Sequence, residues 1–238
     1  MLLASPALAA PDLKPCIDET VEIPGRAANC TALIQSGALS GRDLAMVLHE
    51  RGVVYFLAKR FDMALTDFDA AAKADPDFAD TYADRAAARV IKGDMNGCIA
   101  DLNRAVALDP NNLVALMQLG NYYHNEKHDL ATALTHYDKA LGAGDESARA
   151  HLRLSRADVY AEKKDFKSAL ADYDEAINLA PKNVLALCGR AGVVEQQGDR
   201  KAAIKAYDAC LDVKPTDDID CDLQRHARDA EVRLITNR

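Results

Sequence analysis

The chain has 238 residues, with 37 acidic side chains against 29 basic ones and a net charge of −8. That balance disfavours nucleic acid and anionic membrane surfaces as partners, because both are bound through clustered Lys and Arg. No apolar run approaches the roughly 20 residues a spanning helix needs, and an Ala- and Leu-rich chain with few Gly and Pro and no Trp favours α-helix.

Residues 1–10 end in Ala7-Leu8-Ala9, a small-residue pattern suited to signal-peptide cleavage. They read as the remnant of a signal peptide whose start lies upstream, which places the protein in the periplasm or outside the cell. Lys14 and Pro15 before Cys16 make a poor lipoprotein cleavage box, so no lipid anchor is expected. Residues 11–44 form an N-terminal cap in which Ala27 to Gln35 reads as an orphan helix.

From Ala45 the chain repeats itself every 34 residues. Asp75-Pro76 recurs as Asp109-Pro110, and Ala180-Pro181 as Lys214-Pro215. Ala64, Phe68, Ala71 and Pro76 are matched by Ala169, Tyr173, Ala176 and Pro181. Numbering Pro76 as position 32, units begin at Ala45, Ala79, Leu113, Ala150 and Val184 and fill residues 45–216. Gly93-Asp94 and Gly198-Asp199 divide each unit into two helices, A and B: Gly ends A in the left-handed conformation and Asp caps B. The third unit has 37 residues; Ala133, Tyr137 and Ala140 fill its small and large positions, and Gly142-Ala143-Gly144-Asp145 replaces the exit Pro. Residues 217–238 supply a last helix, Asp218 to Thr236, whose charged face caps the array.

This pattern resembles the tetratricopeptide repeat family, with the third unit similar to its longer Sel-one-like variant. The resemblance implies an all-α, right-handed α-solenoid of about five helix-turn-helix units, flanked by the orphan and capping helices. It also implies a concave groove lined by helix A. At the family's groove positions stand His49, Val53, Phe56, Asp80, Ala83, Ala87, Met117, Asn121, His124, His151, Asp158, Glu162 and Glu195. The family's carboxylate-holding Lys, Arg and Asn set is represented only by Asn121, so an acidic tail is not the expected ligand. A mixed groove with acidic walls favours an extended or helical peptide with apolar anchors and some positive charge.

Comparison of the units adds a packing expectation. Position 7 is Arg51, Arg85, Leu119, Arg156 and Arg190; position 23 is Asp67, Asp101, His136, Asp172 and Ala206. These lie level in an antiparallel hairpin, and three units keep both charges, so a structural Arg–Asp pair is expected, worth about 0–1 kcal/mol if exposed.

Six cysteines and a secretion pattern suggest disulfides. Cys16 and Cys30 flank a region with little core. Cys188 and Cys210 are each 11 residues from Asp199 and would face one another, with Cys221 a competing partner for Cys210. Cys98, at a close-packed position, reads as a free buried thiol. No phosphate-binding glycine loop, nucleophile elbow or H-E-x-x-H occurs, so no cofactor and no catalytic residue is expected. Two further readings stand beside the scaffold: a homodimer formed through the residues near Phe56 and the terminal helix, and a metal-dependent activity around His124, His128 and His136. Asp217, Asp218, Asp220 and Asp222 lack calcium-loop spacing and fit a helix N-terminus instead.

Overall fold

The computed structural model describes residues 12–18 and 20–236; the expected signal-peptide remnant, residues 1–10, lies outside them. The described residues form helices and no strand: α1 (Lys14–Ile17), α2 (Ile23–Gln35), α3 (Gly41–Leu57), α4 (Phe61–Ala74), α5 (Ala79–Ile91), α6 (Met95–Leu108), α7 (Leu113–Asn125), α8 (Leu130–Ala143), α9 (Glu146–Glu162), α10 (Phe166–Leu179), α11 (Val184–Gln196), α12 (Arg200–Leu211) and α13 (Asp218–Thr236). Pairs α3/α4 to α11/α12 are the five expected hairpins.

Helix A begins where the repeat predicts at Ala79, Leu113 and Val184, but at Gly41 and Glu146 in the first and fourth units. The extra turns arise because the caps sit upstream: Ser40 is extended, and the Asp145 side chain accepts from the Ala148 N–H. The orphan helix likewise opens at Ile23, with Pro24 in its first turn.

The described residues up to Ala115 form one compact unit and those from Leu116 another, with α7 crossing the boundary. In the first, α3 packs on α4, α4 on α5 and α5 on α6, and the A helices α3 and α5 also touch. In the second, helices pack in succession from α8 to α13, and α9, α11 and α13 meet in turn. Each unit therefore carries an uninterrupted row of A helices.

Between the two helices of each hairpin the chain turns through one left-handed residue. Gly93 (φ 78°) and Gly198 (φ 84°) fill that place as expected, but Lys59 (φ 59°), His128 (φ 51°) and Lys164 (φ 60°) fill it in the other units. Asp94, Asp129, Asp165 and Asp199 then accept a backbone N–H three residues on and cap helix B. Asp217 accepts the Asp220 N–H in the same way, so the acidic stretch before α13 is a helix start.

The core is built from one large side chain on helix B flanked by small ones. Ala64, Phe68 and Ala71 are buried on α4, Ala133, Tyr137 and Ala140 on α8, and Ala169, Tyr173 and Ala176 on α10. The rings need room on helix A: a Cβ added at Gly52 would lie 2.7 Å from the Phe68 ring, and one at Gly120 would lie 2.5 Å from the Tyr137 ring.

The position-7 arginines do more than the hairpin geometry alone implies. Arg51 binds Asp67 with two bonds of 2.7 Å, Arg85 binds Asp101 at 2.8 and 2.6 Å, and Arg156 binds Asp172 at 2.6 and 2.8 Å. The carboxylates are buried, Asp172 being 2% exposed, so these are not surface pairs. Each guanidinium also reaches the preceding helix B: Arg51 to Thr31, Arg85 to Asp69 at 2.7 Å, and Arg156 to Asp138. In the fifth repeat, where Ala206 replaces the aspartate, Arg190 keeps only the backward bond, to Asp174. The third repeat has Leu119, which is buried, and His136, whose ring stacks on Tyr123 with centroids 5.4 Å apart.

The structure joins Cys16 to Cys30, with Cα atoms 4.7 Å apart, and Cys188 to Cys210, with Cα atoms 5.2 Å apart. Cys98 is free and buried, and Cys221 is free and exposed. Around the first bridge, α1 and α2 are further fixed by Arg26, which donates to the Cys16 carbonyl and to Glu50.

Asp101→Ala is expected to cost about 3–5 kcal/mol, because it strands Arg85 and Arg89 against a buried surface. Asp69→Ala removes an exposed partner of the same Arg85 and is expected to cost under about 1 kcal/mol. Urea unfolding of the two variants checks the contrast.

Candidate functional site

Each unit's row of A helices is a candidate site, and the two rows differ. In the first unit, Val53 and Phe56 are half-buried and pack around Phe68, Asp80 is exposed, and Ala87 is half-buried. His49 and Ala83, placed in the groove by their repeat positions, are 6% and 1% exposed. They supply packing instead of contact surface, and the start of α5 closes over His49: its ring lies 4.9 Å from Phe78 and its Nδ1 is 3.5 Å from the Thr81 hydroxyl.

The acids beside them were not among the expected groove residues. Asp84 lies 3.5 Å from His49 Nε2. Glu50 and Asp84 share the sixth position of their repeats, and that recurrence was the available signal. Burial, then the charges of Asp80 and Glu50, push the Asp84 carboxyl up to about 6. Burial lowers His49 to about 4, Asp80 opposing and Arg42 assisting. At neutral pH a neutral imidazole thus faces a carboxylate.

In the second unit the expected groove residues Asn121, Asp158 and Glu195 have a structural duty. The Tyr137 hydroxyl donates to Asn121 Oδ1 at 2.7 Å, the Tyr173 hydroxyl to Asp158 Oδ1, and the Tyr207 hydroxyl to Glu195 Oε2 at 2.6 Å. Where position 24 is Phe68 or Leu102, position 9 is apolar, Val53 or Ala87. The acceptors therefore satisfy phenols that would otherwise be buried without a partner. Burial raises Tyr137 to about 12 and keeps Tyr173 and Tyr207 well above the ordinary phenol range.

Met117 and His124 are half-buried and His151 is exposed. His124 Nε2 lies 3.0 Å from Glu162, and Arg233 pairs with Glu195 at 2.5 Å. Burial is the main cause raising the Asp158 carboxyl, with the Tyr173 bond and the charge of His124 opposing it. The residue still exposes surface, as a group set in a hollow does. That hollow, about 350 Å³, is walled by Leu154, Asp158, Leu185, Leu223 and His226, with Tyr207 at its edge.

The three histidines considered for metal do not converge. His124 is engaged with Glu162, His128 holds the left-handed turn position, and His136 is stacked on Tyr123 with its Nδ1 buried and without a hydrogen-bond partner. Among the described residues, no group of three or more His, Cys, Asp or Glu is placed to hold a metal ion.

Family models for the TPR repeat match residues 157–198, and for the tetratricopeptide repeat residues 186–217. A TPR repeat-containing protein of Rhizobium etli is 28% identical over 102 residues, 43% of this chain and 48% of that protein. Residues 157–217 therefore carry tetratricopeptide repeats. The chain's matched segment spans about half the length of that curated relative. Among solved structures, the chain is similar to YrrB, described as a TPR protein with an unusual peptide-binding site. The TM-score is 0.67 at 18% identity, covering 85% of this chain and 99% of that one. It is also similar to PilW, described as a widely conserved type IV pilus biogenesis factor, with a TM-score of 0.62 at 16% identity, covering 81% and 93%. At these identities the likenesses show the tetratricopeptide fold alone.

Asp84→Asn tests the first unit's acid cluster. A carboxyl whose folded pKa is raised leaves the native protein holding more protons between about 4 and 6, so its contribution to stability falls as pH rises through that window. The variant escapes this loss. Its urea midpoint relative to the parent is expected to climb from pH 4 to pH 6 and stay level above.

Proposed function

We propose that the protein is a non-enzymatic scaffold whose A-helix rows hold a protein or peptide segment with apolar anchors and some positive charge. The observation that carries this reading is the second unit's row, where exposed Leu185 and the exposed carboxylate Asp158 line an open hollow. Binding would use a preformed surface, which limits the ordering cost on association. The peptide site named for YrrB is consistent with it.

A photo-crosslinking residue at Ala87 or Leu185 tests this. Neither side chain belongs to the tyrosine network, unlike Asn121. Expressed in the native host, both positions are expected to capture the same polypeptide, while exposed Lys205 on helix B of the last repeat does not. Capture only from Lys205 would move binding off the A helices. Self-crosslinks alone would favour the homodimer.

We further propose that the protein works in an oxidising compartment, the periplasm or the exterior. The Ala7-Leu8-Ala9 pattern and the adjacency of Cys16 to Cys30 support this. Thiol labelling of acid-quenched, denatured protein from native cells is expected to find two free thiols, Cys98 and Cys221; six would place it in a reducing compartment. Replacing Cys16 and Cys30 by Ser is expected to cost about 3 kcal/mol for so short a loop.

A further inference from the structure

The acids on the second unit's A-helix row are not equivalent. Glu162 has His124 as its partner and Glu195 has Arg233. Asp158 is hydrogen-bonded to the neutral Tyr173 hydroxyl and feels the charge of His124 from α7, but among the described residues it makes no ion pair. Its carboxyl uses Oδ1 for that bond, which leaves Oδ2 uncommitted in a residue that lines the hollow. The rest of the lining is mostly apolar: Leu154 on α9, Leu185 on α11 and Leu223 on α13, with Leu185 43% exposed, beside Cys188 and the edge of Tyr207. The hollow is thus a short apolar channel with one unbalanced carboxylate on its wall. His226 is the titratable group that faces it from α13.

We infer that this hollow is a specificity pocket for a basic side chain, Lys or Arg, of the bound segment, with its methylene stem along the three leucines and its cationic head at Asp158. The inference rests on the scaffold reading and says which residue the partner must present. A long basic side chain suits such a site because its stem is apolar and its tip is charged. Other side chains fit worse. An acidic one would meet Asp158, and an aliphatic one would cover the carboxylate without pairing it, which costs free energy. Arrival of a cation also favours the ionised form of a carboxyl that burial has raised.

The variant that isolates the charge is already foreshadowed in the fold. Asn121 accepts the Tyr137 hydroxyl from the same repeat position that Asp158 occupies opposite Tyr173. Asp158→Asn therefore removes the charge while keeping the acceptor, and it should fold. Tyr173→Phe does the reverse, removing the donor and leaving the charge.

The experiment titrates n-butylguanidinium and n-butylammonium into the ¹⁵N-labelled full chain at constant ionic strength, with n-butanol and butyrate as controls. Saturable shifts of the Leu185, Gly189 and Ala227 amides are expected with the two cations. Binding of n-butanol should be at least fivefold weaker, and butyrate should have no effect. Asp158→Asn should abolish the preference for cations, Tyr173→Phe should keep it, and Leu185→Ala should weaken cations and n-butanol alike. The inference is overturned if n-butanol binds as well as the cations, or if folded Asp158→Asn retains the preference. These outcomes are separate from the crosslinking result. A partner captured at Leu185 with no cation preference leaves the scaffold and removes the pocket. Cation binding without capture leaves the pocket and removes the scaffold.

Discussion

One large side chain per hairpin, a ring in every hairpin but the second, seated on helix B against a residue with little or no side chain on helix A, is the constraint on which the rest of this structure depends. Phe68 lies over Gly52 and Tyr137 over Gly120, at separations that leave no space for a methyl group. Close approach brings the helices near enough for a guanidinium on one to grip a carboxylate on the other with two bonds. It also brings the tip of a tyrosine through the hairpin to the A-helix surface. There the hydroxyl must find an acceptor, so the composition of that surface is partly dictated from inside. Asn121, Asp158 and Glu195 are on the A-helix face because the core holds phenols behind them.

This coupling gives the A-helix rows of the two units different chemistry. Phe68 and Leu102 need no acceptor, and the surface above them is Val53, Phe56 and Ala87, flanked by acids that lean on one another. Above the tyrosines the acids are tied down and mostly neutralised, Asp158 excepted. A partner would therefore meet a cluster of mutually repelling carboxylates in one unit and a single unpaired carboxylate among leucines in the other.

Much of the helical layout is legible in the repeat. Positions recurring every 34 residues mark where helices touch, and α5, α7, α11 and α13 begin where that register says. The register does not mark caps, which is why α3 and α9 gain a turn behind Ser40 and Asp145. Nor does it report α1, a single turn without periodicity held by Cys16. The A-helix surface is less legible. Repeat position alone put His49 and Ala83 in the groove, but burial depends on the size of neighbours such as Phe78 and Thr81. The pairing of Tyr at position 24 with an acceptor at position 9 or 12 was visible in the letters; its meaning needed the distance between them.

The arginine bridges carry one last implication, about mechanical load. Arg85 is bonded to α4 and α6 at once, and Arg156 to α8 and α10, so the helix that bears each arginine cannot be drawn away without breaking ties on both of its sides. A chain pulled from its ends would yield in blocks larger than a hairpin, each rupture releasing two neighbours together. Arg190, with its backward bond alone, ties α11 only to α10, and there the Cys188–Cys210 bridge stands in for the missing forward tie to α12.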